Sequence, residues 1–154
     1  MALYYKTIAL LGTEDQADFL RNVEAFKELG CFALTELGHG SNTKGVLTTA
    51  HYDNRTREFV INTPCDEAMK FWIGGAAKTV NMSIVFAQLY DSEGTCHGPH
   101  FFIVPIRDKN THLPLPGVVL GDVGKKTGLQ GVDNGLLTFN RVRVPRRNML
   151  NKIS

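Results

Sequence analysis

Over residues 1–30 the apolar positions recur at helical spacing, and from Cys31 onward they alternate with a period near two. The first pattern predicts a helix over 13–29. Thr13 serves as its N-cap, Gln16 three positions later completes a capping box, and Phe19, Val23 and Phe26 form one apolar face. Gly30 stands where a C′ stop belongs. Residues 3–11 read as the tail of an earlier helix joined through Gly12, an apolar half-helix that needs more chain or a partner to pack against. The second pattern predicts strands at 31–36, 46–53, 58–63, 79–90, 100–107, 117–123 and 135–144. Turn signals separate them at Asp53-Asn54-Arg55-Thr56, Asp91-Ser92-Glu93-Gly94, Pro114-Leu115-Pro116-Gly117 and Asp133-Asn134-Gly135. Seven strands behind a short helical preface make a mainly β protein, a barrel or a sandwich.

Composition narrows the classes. A chain of 154 residues with 43% apolar content fits one domain with an ordinary core. Its net charge is +2, and its 17 basic residues are scattered apart from Arg141–Arg147, so no basic stripe points to nucleic acid. Cys31, Cys65 and Cys96 lie far apart, which argues against a disulfide scaffold and suits a reducing compartment. No apolar run approaches the roughly 20 residues of a membrane span. The last residues, Asn151-Lys152-Ile153-Ser154, do not spell the S-K-L type of peroxisomal address.

Two stretches carry candidate chemistry. Thr35-Glu36-Leu37-Gly38-His39-Gly40-Ser41-Asn42 follows an apolar strand and combines little side-chain bulk with a hydroxyl, a carboxylate and an imidazole. It suits a loop whose N–H groups meet a carbonyl, a phosphate or a heteroaromatic edge, and equally a glycine-rich turn between strands. Lys70-Phe71-Trp72-Ile73-Gly74-Gly75 holds the only tryptophan. That ring can wall a flat ligand, or it can be a core tryptophan before a bulge. Three other patterns are set aside. Gly121–Thr127 contains a Lys-Thr pair without the spacing of a phosphate loop, and it lies between strands. Cys96-His97-Gly98-Pro99-His100 has no second ligand pair at zinc-finger spacing. No nucleophile–base pair is specified, and Glu36 is the one carboxylate in an interesting neighbourhood.

The order GCFALTELGHGSN, LTTAHYD, EFVINTP, KFWIGG, HFFIVPIRD and DNGLLTFNRVRVP closely resembles the middle domain of peroxisomal acyl-CoA oxidases, flavoproteins of the acyl-CoA dehydrogenase superfamily. The resemblance runs from about residue 3 to 150. TELGHGSN and the W-x-G-G of Trp72–Gly75 are oxidase-like, whereas dehydrogenases generally carry Trp-Ile-Thr/Ser at that segment. Common oxidases read W-W-P-G-G where this chain reads Phe71-Trp72-Ile73-Gly74-Gly75, and Gly128-Leu129-Gln130-Gly131 also varies, so the chain resembles a divergent member.

The resemblance implies that residues 1–30 end an N-terminal helical domain, that 31–150 form a middle β-barrel domain, and that the C-terminal helical bundle is absent. It implies FAD as cofactor, fatty acyl-CoA and molecular oxygen as substrates, trans-2-enoyl-CoA and hydrogen peroxide as products, a homodimer, and a peroxisomal location. Thr35, Glu36, Gly38, Gly40, Trp72, Gly74 and Gly75 are the expected cofactor-side residues, with Thr35 toward the flavin's pyrimidine side and the Gly74 N–H near its N5/O4 edge. Ser41 and Asn42 are expected on the acyl-CoA side. The family's catalytic glutamate belongs to the bundle, so no catalytic residue is assigned here and this chain by itself is expected to be inactive. The alternative is a truncated, non-catalytic module that binds acyl-CoA, flavin or a partner.

Overall fold

The computed structural model describes residues 2–152; Met1, Ile153 and Ser154, the last two closing the C-terminal tetrapeptide discussed above, lie outside them. The elements are α1 (Ala2–Leu11), α2 (Ala17–Glu24), β1 (Gly30–Ala33), β2 (Thr49–Asp53), β3 (Glu58–Asn62), β4 (Lys70–Gly74), β5 (Met82–Tyr90), β6 (Cys96–Pro105), β7 (Val118–Asp122), β8 (Asn134–Phe139), β9 (Val142–Pro145) and β10 (Met149–Leu150). Seven strands form a curled sheet in the order β10-β6-β5-β2-β3-β9, with β1 also paired to β5. Three more form a second sheet, β4-β8-β7. The fold is mainly β, as expected.

β5 is the spine. Its run Met82–Ala87 is buried on both faces, as the unbroken apolar sequence requires. Met82 and Ile84 join Ile103 and Leu150 under the helices, against Tyr4 and Ile8 of α1 and Phe19 and Val23 of α2. Both helical pairs are four residues apart, so each helix turns one stripe to the sheet. Val85 and Ala87 face the other way, toward Ala50, Phe59, Phe102 and Val104, and toward Ile73, Val118, Leu137 and Phe139 of the second sheet. Each fully buried Ile, Leu or Phe contributes about 1.5–3 kcal/mol relative to exposure.

Several boundaries differ from expectation. The helix predicted over 13–29 is a 3₁₀ turn (Glu14–Gln16) followed by α2 alone. Phe26 adopts a left-handed conformation (φ 54°) and ends it, so Gly30 is not the helix stop but the first residue of β1. Gln16 does accept from the Thr13 N–H at 2.7 Å, and its Nε2 also donates to the Arg147 carbonyl, joining the two ends of the chain. The stretch 135–144 is two strands in different sheets. Arg141 (φ 51°) turns the corner, with Phe139 and Val142 both in the core. Asn134 and Gly135 belong to β8 rather than to a turn. β4 was not anticipated.

β1 and β2 both pair parallel with β5, one after the other: Gly30–Ala33 against Met82–Val85, and Thr49–His51 against Gln88–Tyr90. Between them the chain leaves the sheet over 34–48 and returns beside the same strand. That excursion contains TELGHGSN. Gln88 ties it down through Nε2 contacts to the Lys44 and Val46 carbonyls.

Candidate functional site

The excursion begins where β1 ends. The Phe71 N–H donates to the Thr35 carbonyl at 3.0 Å, and the Leu37 N–H to the Met69 carbonyl at 2.8 Å, so residues 35–37 are zipped to the entrance of β4. Gly38 continues the contact, donating to the Glu67 carbonyl at 2.9 Å. A Cβ at Gly38 would lie 2.9 Å from Glu67 Cβ, so this glycine answers to another segment of the same chain. Gly40 lies against Thr35 without crowding; a Cβ there would sit 3.8 Å from Thr35 Cγ2.

Glu36 points inward and is 3% exposed. Its Oε1 accepts from the Thr48 N–H (2.9 Å), Thr48 Oγ1 (2.6 Å) and Lys70 Nζ (3.0 Å), and its Oε2 from the Leu47 N–H (2.8 Å). Burial by itself would raise this carboxyl; the Lys70 ammonium and the donors of Leu47 and Thr48 outweigh it and hold the group below the ordinary glutamate range. Lys70 is fully buried and also donates to the carbonyls of Leu34 (3.0 Å) and Phe86 (2.7 Å). Burial pushes its pKa down to about 8, while the Glu36 carboxylate beside it pulls the other way and favours the charged form.

β4 carries an irregularity between Lys70 and Ile73, and there Trp72 adopts φ 63°. A bulky residue in the left-handed region is an outlier held by its surroundings. The twist turns the indole outward, 52% exposed, while Ile73 goes into the core. Phe71 meets the indole edge-on at 5.5 Å.

The turn after β4 is clamped from both polar sides. The Asp133 carboxylate accepts the N–H groups of Ala77, Lys78 and Thr79 and the Thr79 hydroxyl, and its carbonyl accepts the Gly75 N–H. Buried Arg107 donates to the carbonyls of Ala76, Ala77 and Val80. Gly75 takes φ +83°, which lets the turn reverse there.

Thr35, distant in sequence from Trp72 and Gly74, lines with them one cleft of ≈ 530 Å³ together with Leu3, Cys31 and Phe32. A Cβ at Gly74 would meet nothing within 4 Å, so the cleft is open above it. Glu36, Gly38, Gly40 and Gly75 are not on its wall but build the two turns that frame it. Ser41 and Asn42 stand exposed at the far end of the excursion, where Asn42 Oδ1 accepts from the Gly45 N–H at 3.2 Å. Lys70, Asp133 and Arg107 were not singled out from sequence. A lysine flanked by Met69 and Phe71 was the available signal for the first.

A curled sheet backed by a three-stranded sheet, with a Thr-Glu turn meeting a Trp-x-Gly-Gly strand, defines the middle β domain of the acyl-CoA dehydrogenase class. Residues 31–142 match the family described as acyl-CoA dehydrogenase, middle domain, and the chain belongs to that family. It is 51% identical over 142 residues to the human peroxisomal acyl-coenzyme A oxidase 3, covering 92% of this chain and 20% of the relative. It is 46% identical over 153 residues to the peroxisomal acyl-coenzyme A oxidase 3 of Arabidopsis thaliana, covering 99% and 22%. The chain thus spans about a fifth of the length of these relatives. The crystal structure of acyl-CoA oxidase 3 from Yarrowia lipolytica superposes with a TM-score of 0.92 at 46% identity, covering 97% of this chain and 22% of that one. Acyl-CoA oxidase-2 of Caenorhabditis elegans, solved with FAD, ascaroside-CoA and ATP, superposes with a TM-score of 0.92 at 42% identity, covering 96% and 22%.

Proposed function

We propose that this chain forms one wall of the flavin and acyl-CoA site of a peroxisomal acyl-CoA oxidase, and that its cleft takes the flat face of FAD. The observation that carries this reading is the meeting of Thr35, Trp72 and Gly74 at one opening. The residues fit such a group. The cleft volume lies within the range of about 300–1,000 Å³ usual for small-ligand sites. Its walls are mostly apolar, one exposed aromatic ring stands ready to stack, and the space over Gly74 admits close approach to backbone. Bound there, a flavin would supply the two-electron acceptor for oxidising the acyl chain, with molecular oxygen as the final acceptor.

The chain's own part is to bind, orient and exclude water. Thr35 offers a hydroxyl at the mouth, Trp72 a wall, and Ser41 and Asn42 polar groups toward the acyl-CoA. Removal of the substrate's α-proton needs a basic carboxylate, and among the described residues none lines this cleft. Glu36 is the nearest in sequence to Thr35, but it is locked to Lys70 with a lowered pKa, which makes it a poor base. The polypeptide by itself therefore binds without turnover, a reading that also suits a non-catalytic module. In the whole oxidase the base comes from another segment, and residues 1–30 end the preceding helical domain. The peroxisomal naming of the relatives, and the homodimer expected from the resemblance, extend to this chain on the same reading.

Titration of the purified chain with FAD, followed by quenching of its single tryptophan, tests this. Saturable quenching that Thr35→Val and Gly74→Leu weaken is expected. No quenching up to millimolar FAD sinks the flavin reading, and peroxide formation from an acyl-CoA by this chain alone sinks the claim that the base lies elsewhere.

A further inference from the structure

We propose that the buried Glu36–Lys70 pair is the positioning element of the cleft: it sets the Thr35 turn against the Trp72–Gly74 bulge and acts on a ligand through them, without touching it. Glu36 follows Thr35 directly, and Lys70 precedes Trp72 by two residues. Both side chains are wholly inaccessible, with 3.0 Å between Nζ and Oε1. Both Glu36 oxygens are engaged by protein donors, so neither is offered to a ligand.

The pair's geometry is directional. An ammonium donates three hydrogen bonds, and Lys70 places them on Leu34 at the end of β1, Glu36 in the excursion, and Phe86 on β5. One side chain from the entrance of β4 therefore ties the end of β1 and the start of the excursion, which flank Thr35 of the cleft wall, to β5. Glu36 in turn reaches across to Leu47 and Thr48, where the excursion re-enters the sheet. An apolar pair of similar volume would fill this core without the desolvation cost of two ions. What it would not supply is a fixed direction for Leu34 and Thr35 relative to β4. The left-handed Trp72 requires that fixity, because a strained residue persists only where its neighbours over-determine it. Anchoring comes from Lys70 on one side, and from buried Ile73 with the Asp133 clamp on the other.

The test uses Trp72, the only tryptophan, as a reporter. The double variant Glu36→Gln/Lys70→Met is compared with the parent chain in thermal unfolding, in acrylamide quenching and emission of Trp72, and in FAD titration. The double variant is expected to stay folded with a similar melting temperature, while Trp72 emission and quenching change. FAD binding should weaken about tenfold, the scale of one misplaced hydrogen bond. An altered melting temperature with unchanged Trp72 signals and unchanged FAD affinity would make the pair merely structural and overturn the proposal. If the double variant does not fold, Glu36→Asp, which keeps an anion for Lys70 but shortens its reach, decides by the same readouts. The flavin readout rests on the function proposed above. Should the parent bind no FAD, that reading fails, and the Trp72 signals still decide the positioning role.

Discussion

Lys70 Nζ sits 3.0 Å from Glu36 Oε1, and neither side chain is exposed to solvent. Removing one partner strands the other. Lys70→Met is expected to destabilise the chain by about 3–5 kcal/mol, because a carboxylate is left buried without its cation. Adding Glu36→Gln to it should recover most of that loss. Urea denaturation of the two single variants and the double variant measures the coupling, and additive losses would contradict it.

The same carboxylate predicts an acid limb in stability. Its folded pKa lies below the unfolded value, so the stabilisation is complete above the ordinary glutamate pKa of about 4.3 and is lost as pH falls through the folded value. Denaturation midpoints measured from pH 7 down to pH 3 should fall in that window. Glu36→Gln should flatten the fall.

Asp133 should matter out of proportion to its position in a connecting loop. Asp133→Ala removes the acceptor of three backbone N–H groups and one hydroxyl. A loss of about 1–3 kcal/mol is expected. Hydrogen exchange should quicken at Ala77, Lys78 and Thr79 ahead of the neighbouring strands, and unchanged exchange there would remove the clamp from the account.

Two glycines of the excursion should separate cleanly. Gly38→Ala places a methyl 2.9 Å from Glu67 Cβ and should cost about 1–3 kcal/mol through overpacking. Gly40→Ala meets only Thr35 Cγ2 at 3.8 Å and should fall within about 0.5 kcal/mol of the parent. Equal effects in thermal melts would show that the contact with Glu67 is not the constraint.

Much of this protein was legible in sequence because it is local. The apolar stripe of Phe19 and Val23, the turn at 53–56, the unbroken run of β5 and the Asp91–Gly94 hairpin follow from spacing and turn chemistry. The TELGHGSN and Trp-x-Gly-Gly motifs marked both sides of the cleft. Tertiary structure decided what depends on partners distant in the chain. β4 escaped notice because its period is broken at Trp72, whose left-handed backbone is held by residues at 34–36 and 133. The run 135–144 keeps a period of two, but its phase slips between Leu137 and Phe139 and Val142 and Val144, and only the two sheets on either side of Arg141 show that it is two strands. Glu36 reads as a candidate ligand beside Thr35. It becomes an internal anchor because Lys70, Leu47 and Thr48 converge on it, and no spacing rule encodes that convergence.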